Sequence, residues 1–263
     1  ALVRPDVKAI QPVAGPPLLV GSTHVNGGLV YPSGPSRQWY YDQTLRRMRG
    51  ELDWNVFDIV VGGYAAGEVR PDGKELRPEA LDDIARAARD SGMAMILCTV
   101  GGAFDTRGKE TPYSAPALAA RARDLRRLAT HFDPLPGFYG FEPNNEPGLG
   151  VKPDTMFGYN DQTLGDFRAW LQQRHGDLAK LNAALQTTYV GLADITPPRA
   201  EAMAQIATDD PRRALWAEWI EFRFQLMEGL HRSDWEALRS VSRKPIFDRT
   251  AGDGLNWCGV PAS

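Results

Sequence analysis

Short apolar runs recur along this chain at intervals, and each is followed by polar residues or glycines. The run at 56–61 (VFDIVV) and the run at 93–100 (MAMILCTV) both end in glycines, as buried strands do before a turn. Shorter runs of the same character occupy 17–23, 137–141 and 245–248. The pattern therefore predicts five strands spread over most of the chain.

Helical periodicity fills the segments between these runs. Apolar residues spaced by three and four predict helices over 38–52, 78–92, 115–130, 161–175 and 178–185. The segment 211–241 is predicted to hold one long helix or two, with Trp216, Trp219, Phe222 and Met227 as a core stripe. Strands that alternate with helices are typical of a parallel α/β sheet.

Two observations favour a closed barrel over a doubly wound sheet. No Gly-x-Gly-x-x-Gly follows the first strand, where a dinucleotide-binding sheet carries it. Polar residues follow every strand, which is typical of an active site at the carboxyl ends of barrel strands. We predict a TIM (β/α)8 barrel. Residues 17–263 supply about its first five βα units with a helical insertion after strand four, and residues 1–16 are a Pro- and Gly-rich lead-in.

Composition and charge narrow the class of protein. A hydrophobic content of 43% provides for a core, and a formal net charge of −3 gives no basic excess for nucleic acid. No apolar run reaches the roughly 18–20 residues that a membrane span needs. Cys98 lies in an apolar run and is interpreted as a small buried hydrophobe, and Cys258 stands apart from it. The sequence thus predicts no cofactor, no metal, no nucleic acid and no membrane partner.

The segment 137–147 (GFYGFEPNNEP) carries the strongest chemical signal. Side chains alternate along a strand, so Asn144 and Glu146 would share a face with Glu142, which would lie deeper in the barrel. A carboxyl group at the barrel mouth can protonate a glycosidic oxygen and then activate water. Glu146 is therefore the predicted catalytic acid/base, and Asn145 is placed to reach a sugar hydroxyl. The competing interpretation is that Asn-Glu-Pro only ends a strand.

Other polar and aromatic residues are weaker candidates for substrate binding. His24 is predicted to follow strand one, where it could bind a sugar hydroxyl, and Tyr64 and Trp257 could stack on a sugar ring. Asp248, at the end of strand five, is interpreted as a subsite wall, with replacement of the nucleophile as the alternative. The mixed charges of 121–127 are expected to be a solvated helix face.

The stretch after strand four resembles a known family. FRAWL at 167–171, RHGDL at 174–178, LNAAL at 181–185 and ITPPR at 195–199 occur in the order found in family 42 β-galactosidases, which belong to clan A of the glycoside hydrolases. GEVRPDG at 67–73 is similar to the second βα unit of that family. Asn145 and Glu146 resemble the acid/base motif of the clan.

The resemblance implies a retaining hydrolase of β-linked glycosides. It assigns the acid/base to Glu146, contact with the sugar 2-hydroxyl to Asn145, and the nucleophile to a strand-seven glutamate outside this chain. The cysteine cluster that binds zinc in some members is absent from the sequence. A further C-terminal segment or a second chain is expected to complete the barrel, and a homo-oligomer is compatible. The alternative is a non-catalytic carbohydrate-binding or scaffold protein that retains half of the barrel.

Overall fold

The computed structural model describes residues 21–25, 35–61, 82–99, 114–143, 159–203 and 205–247. Its sheet has four parallel strands, each hydrogen-bonded to its neighbour in chain order. They are β1 (Gly21–Val25), β2 (Val56–Val61), β3 (Ala94–Thr99) and β4 (Phe138–Glu142).

The predicted fifth strand joins the edge of this sheet at one residue. Ile246 forms a parallel bridge with Phe141. The Phe141 amide donates to the Pro245 carbonyl at 3.0 Å, and the Phe247 amide donates to the Phe141 carbonyl at 2.8 Å. The spatial order of the strands therefore follows the chain order through to residue 246.

Helices connect successive strands. They are α1 (Pro35–Leu52), α2 (Asp82–Asp90), α3 (Ala115–Phe132), α4 (Asp161–His175), α5 (Leu178–Leu185), α6 (Ala200–Met203) and α7 (Arg212–Arg239), with a short 3₁₀ helix at Leu192–Asp194. The segment predicted to hold one helix or two is a single helix, α7. Within the described residues, no helix combines the length and the apolar character that crossing a membrane requires.

Local signals set the bounds of the helices in the insertion. The Asn160 side chain accepts from the Thr163 amide at 2.9 Å and begins α4, which ends at Gly176 with φ of 90°. The Asp177 side chain accepts from the Lys180 amide at 2.8 Å and begins α5. Such caps satisfy amide groups that a first helical turn leaves without partners, so the predicted and observed bounds of both helices agree.

One face of the sheet is apolar and is covered by helices. Register pairs Phe57 with Met95 and Ile59 with Leu97, so these four side chains share that face. They belong to a buried cluster with residues of α1, α2, α3 and α7, among them Leu45, Ile84, Ala88, Leu125, Phe132 and Leu238. Burial of each large apolar side chain contributes about 1.5–3 kcal/mol.

The opposite face of the sheet carries polar residues, and this helps to distinguish a barrel from a doubly wound sheet. Asp58, Cys98 and Glu142 occupy it and are all buried. A doubly wound sheet has helices on both faces and reverses its strand order, whereas barrel strands run in sequence around a filled interior. Sequential order and a polar inner face therefore fit successive strands of a barrel.

The helical insertion after β4 has a core of its own. Phe167 and Leu171 of α4, Leu181 of α5 and Trp219 of α7 are fully buried in one cluster. Helix α7 also contributes Ala237 and Leu238 to the cluster beneath the sheet. Trp216, Trp219, Phe222 and Met227 are all buried, which confirms the predicted core stripe. Helix α7 is thus shared by the insertion and the sheet.

Candidate functional site

Three buried side chains converge on the inner face of the sheet. Cys98 of β3 is in register with Glu142 of β4, and Asp58 of β2 lies on the same face. One potential ligand atom from each of the three lies within 4.8 Å of the other two. Their exposed fractions are 7% for Asp58, 0% for Cys98 and 4% for Glu142. The burial predicted for Cys98 is confirmed, and Glu142 is buried as well.

This cluster lies near the carboxyl ends of the strands, with Glu142 as the last residue of β4 and Cys98 next to the last residue of β3. Carboxylate and thiolate ligands suit a divalent cation such as zinc, so these three residues have a donor set that could hold a metal. Their burial closes them to a sugar, which needs an open cleft. Asp58 was not among the predicted site residues, although a single polar residue in the apolar run VFDIVV indicates an inward-facing position.

The carbonyl of Pro143, just after β4, is held by two side chains. The Thr99 hydroxyl, at the end of β3, donates to it at 2.8 Å. Arg121 of α3 donates to it through Nη2 at 2.5 Å, and Arg121 Nε donates to Asp234 Oδ1 of α7 at 2.7 Å. The Arg121 side chain is 11% exposed and that of Asp234 is 0% exposed. The expectation that 121–127 is a solvated face is therefore wrong for Arg121.

A cleft of about 550 Å³ lies between α7 and the residues of the fifth strand. Its lining is Pro143, Glu228, His231, Arg232, Trp235, Glu236, Ile246 and Phe247. Trp235 is 53% exposed and presents an aromatic surface to solvent. Pro143, whose carbonyl accepts from Thr99 and Arg121, is thus also part of the lining of this cleft.

Most of the predicted site residues lie outside the described part of the chain. This holds for Asn144, Asn145, Glu146, Tyr64, Asp248 and Trp257. The backbone of His24 is described, and it lies within β1, in register with Ile59 of β2. The prediction that His24 follows the strand is therefore wrong, because β1 continues to Val25.

The motif residues of the insertion make structural contacts. Arg168 Nε donates to the Ile195 carbonyl at 3.0 Å, and the Tyr159 hydroxyl donates to the Pro198 carbonyl at 2.7 Å. The Asn182 side chain amide donates to the Tyr189 carbonyl at 2.8 Å, and its oxygen accepts from the Tyr189 amide at 3.0 Å. The run that resembles the family thus specifies how the insertion folds.

Comparison with known sequences decides the family. The sequence profile of glycoside hydrolase family 42, described as β-galactosidase, matches residues 103–258. This chain belongs to glycoside hydrolase family 42. A curated relative, β-galactosidase Bga of Halorubrum lacusprofundi, is 24% identical in an alignment of 192 positions, which covers 62% of this chain and 26% of the relative. The family 42 chain therefore spans about a quarter of that relative's length.

Solved structures with the same fold agree with the barrel. The catalytic domain of a β-amylase from Paenibacillus polymyxa superimposes with a TM-score of 0.67 at 15% identity. The match covers 92% of this chain and 71% of the β-amylase domain. The β-galactosidase of Halorubrum lacusprofundi has a TM-score of 0.65 at 18% identity, over 90% and 37% respectively. The predicted TIM barrel, with successive strands supplied by this chain, is confirmed.

Proposed function

We propose that the intact protein is a retaining glycoside hydrolase that cleaves β-linked glycosides, with β-galactosides as the first candidates. The observation that carries this proposal is the family 42 match across residues 103–258, which includes Asn145 and Glu146. Strand β4 ends at Glu142, so the Asn-Glu pair follows closely on the carboxyl end of the fourth strand in sequence. Catalytic residues of barrel enzymes come from that end.

Glu146 is the acid/base in this mechanism. Its carboxyl group protonates the glycosidic oxygen while a nucleophilic carboxylate attacks the anomeric carbon, which expels the alcohol and forms a glycosyl-enzyme ester. Glu146, now ionised, removes a proton from water as the water attacks the anomeric carbon and releases the nucleophile. Retention requires the two carboxyl groups to lie about 5–5.5 Å apart.

The second carboxylate is the strand-seven glutamate that the family resemblance implies. Asp248 follows the fifth strand and is proposed to line a subsite. Asn145 donates to the sugar 2-hydroxyl, a contact that strengthens in the transition state. Asn144, Tyr64 and Trp257 are proposed as further contacts with the substrate.

The test uses the intact protein with a panel of aryl β-glycosides. Glu146→Gln is expected to lower kcat by about 10²–10⁴-fold on substrates with poor leaving groups, because it removes general acid and base catalysis. Azide is expected to restore turnover on substrates with activated leaving groups and to yield a β-glycosyl azide, since this small anion attacks the glycosyl-enzyme without help from a base. Glu221→Gln, which changes an exposed carboxyl group on α7, is the matched control and should behave as wild type.

Two results would reject parts of the proposal. If wild type and Glu146→Gln are equally inactive while sugars still bind, the protein is a non-catalytic carbohydrate-binding protein. Proton NMR during the first turnovers reports the anomeric configuration of the product. An inverted product would reject the retaining mechanism while leaving Glu146 as a general acid.

A further inference from the structure

We propose that Arg121 and Asp234 are positioning residues for catalysis: through the Pro143 carbonyl they fix the end of β4, from which the chain leads to Glu146. This inference rests on the proposed function, because the step it serves is acid/base catalysis by Glu146. Neither residue touches the substrate in this proposal. The Arg121 guanidinium binds the buried carboxylate of Asp234 and the carbonyl of Pro143 at the same time.

The held carbonyl controls the direction of the chain after the strand. A peptide group is planar, so the plane that contains the Pro143 carbonyl also leads into Asn144. Proline has no amide hydrogen and cannot extend the ladder of β4 by donating. Thr99 and Arg121 together supply two donors to this oxygen, which has two lone pairs. The carbonyl is therefore fixed from β3 and from α3 simultaneously.

Arginine is required for this geometry. Nε faces Asp234 and Nη2 faces the Pro143 carbonyl, so two donors at a fixed separation on a rigid plane serve two acceptors. A lysine ammonium is one compact donor on a flexible stem and cannot reproduce both contacts at the same positions. Lysine does retain the positive charge that Asp234 requires.

The burial of the pair argues for a positional role. Asp234 lies on the face of α7 that also carries Leu230 and Ala237, where an apolar residue would pack. A buried ion pair is weak evidence for stability, because apolar replacements of similar volume are often neutral or stabilising. The same replacements remove the donor to Pro143. Function and stability are therefore expected to respond differently when apolar residues replace the pair, and this separates the two roles.

The test measures steady-state kinetics of the intact protein on its best aryl glycoside. Arg121→Lys is expected to lower kcat about tenfold and to change KM less than twofold, because small displacements of reacting groups slow chemistry more than binding. The double variant Arg121→Met with Asp234→Leu should unfold at a temperature close to that of wild type and lose kcat to a similar extent. Arg126→Lys, at an exposed position of the same helix, is the matched control and should retain wild-type kinetics.

Failure of this inference and failure of the proposed function give different results. If wild type is active and both Arg121 variants keep its kcat, or if kcat falls only in proportion to the folded fraction, the positioning role is wrong. If wild type is inactive, the proposed function fails, and the positioning role fails with it. Amide hydrogen exchange of peptides that span 141–147 then still tests the contact of Arg121 with the Pro143 carbonyl. Faster exchange in Arg121→Lys, but not in Arg126→Lys, would show that this contact holds the segment, and unchanged exchange would show that it does not.

Discussion

Gly140 lies so close to Pro245 that a β-carbon on residue 140 would stand 2.5 Å from the Pro245 carbonyl oxygen. The same β-carbon would stand 3.0 Å from Cε2 of Phe247. This close approach occurs beside Phe141, where β4 meets the fifth strand through two backbone hydrogen bonds. Only a residue without a side chain permits that contact, because the opposing atom belongs to the backbone and cannot rotate away.

Gly140→Ala is expected to destabilise the protein by about 2–3 kcal/mol through overpacking at this contact. The fifth strand must move away from β4, which lengthens the hydrogen bonds of Phe141 with Pro245 and Phe247. Urea unfolding followed by tryptophan fluorescence measures the change in free energy of unfolding.

The matched control is Gly165→Ala in α4, where nothing lies within 4 Å of the added carbon. Alanine is the better helix former, so this variant should gain about 0.5–1 kcal/mol. Equal stability of the two variants would show that the Gly140 contact does not constrain the fifth strand.

The fold was predictable from the sequence where a local signal coincides with an element boundary. Helices α4 and α5 have the predicted bounds because Asn160, Gly176 and Asp177 cap them through contacts within a few residues. The run VFDIVV gave β2 its bounds because it is β-branched and apolar and is closed by glycines. The end of β1 was misplaced because His24 and Val25 continue the strand beyond the predicted run at 17–23.

The candidate site was predictable only in part, because its supporting contacts join distant segments. Glu142 followed from alternation along β4, whereas the contact of Arg121 with Asp234 joins residues separated by 113 positions. Neither residue differs in local pattern from charges on a solvated helix face. The Pro143 carbonyl is likewise bound by residues of two other elements, which no spacing rule connects to it.

The pKa of Asp210, two residues before α7, is lowered to about 2, first by the hydrogen bond from the Arg212 guanidinium and next by that from the Arg212 amide. A carboxyl group whose pKa is lower in the folded state stabilises the protein above its unfolded pKa and loses that contribution as pH falls. Stability is therefore expected to decline between the ordinary value of 3.8 and about 2. Asp210→Asn should remove that part of the decline, as measured by urea midpoints across this range.

Arg212→Gln tests the cause of this pKa shift. It removes the side-chain partner and keeps the Arg212 amide, which donates to Asp210 Oδ1 at 2.8 Å. The decline should then be intermediate between those of wild type and Asp210→Asn. Identical acid profiles for all three proteins would mean that this pair does not contribute to acid sensitivity.

Phe167 is the aromatic centre of the insertion core, and its removal should separate the stability of that core from the stability of the sheet. Its ring centroid lies 5.0 Å from that of Trp219 and 5.4 Å from that of Phe222. Phe167→Ala is expected to cost about 3–5 kcal/mol, because it leaves a cavity in a fully buried cluster. Amide exchange should accelerate in α4 and α5 while β2 and β3 keep their protection, since the cluster beneath the sheet does not include Phe167.

Two further variants complete this test. Phe132→Ala, in the cluster beneath the sheet, should give the converse pattern, and Phe224→Ala, at a position 41% exposed, should change little. Uniform loss of protection in both core variants would instead show that α7 couples the insertion and the sheet into one cooperative unit.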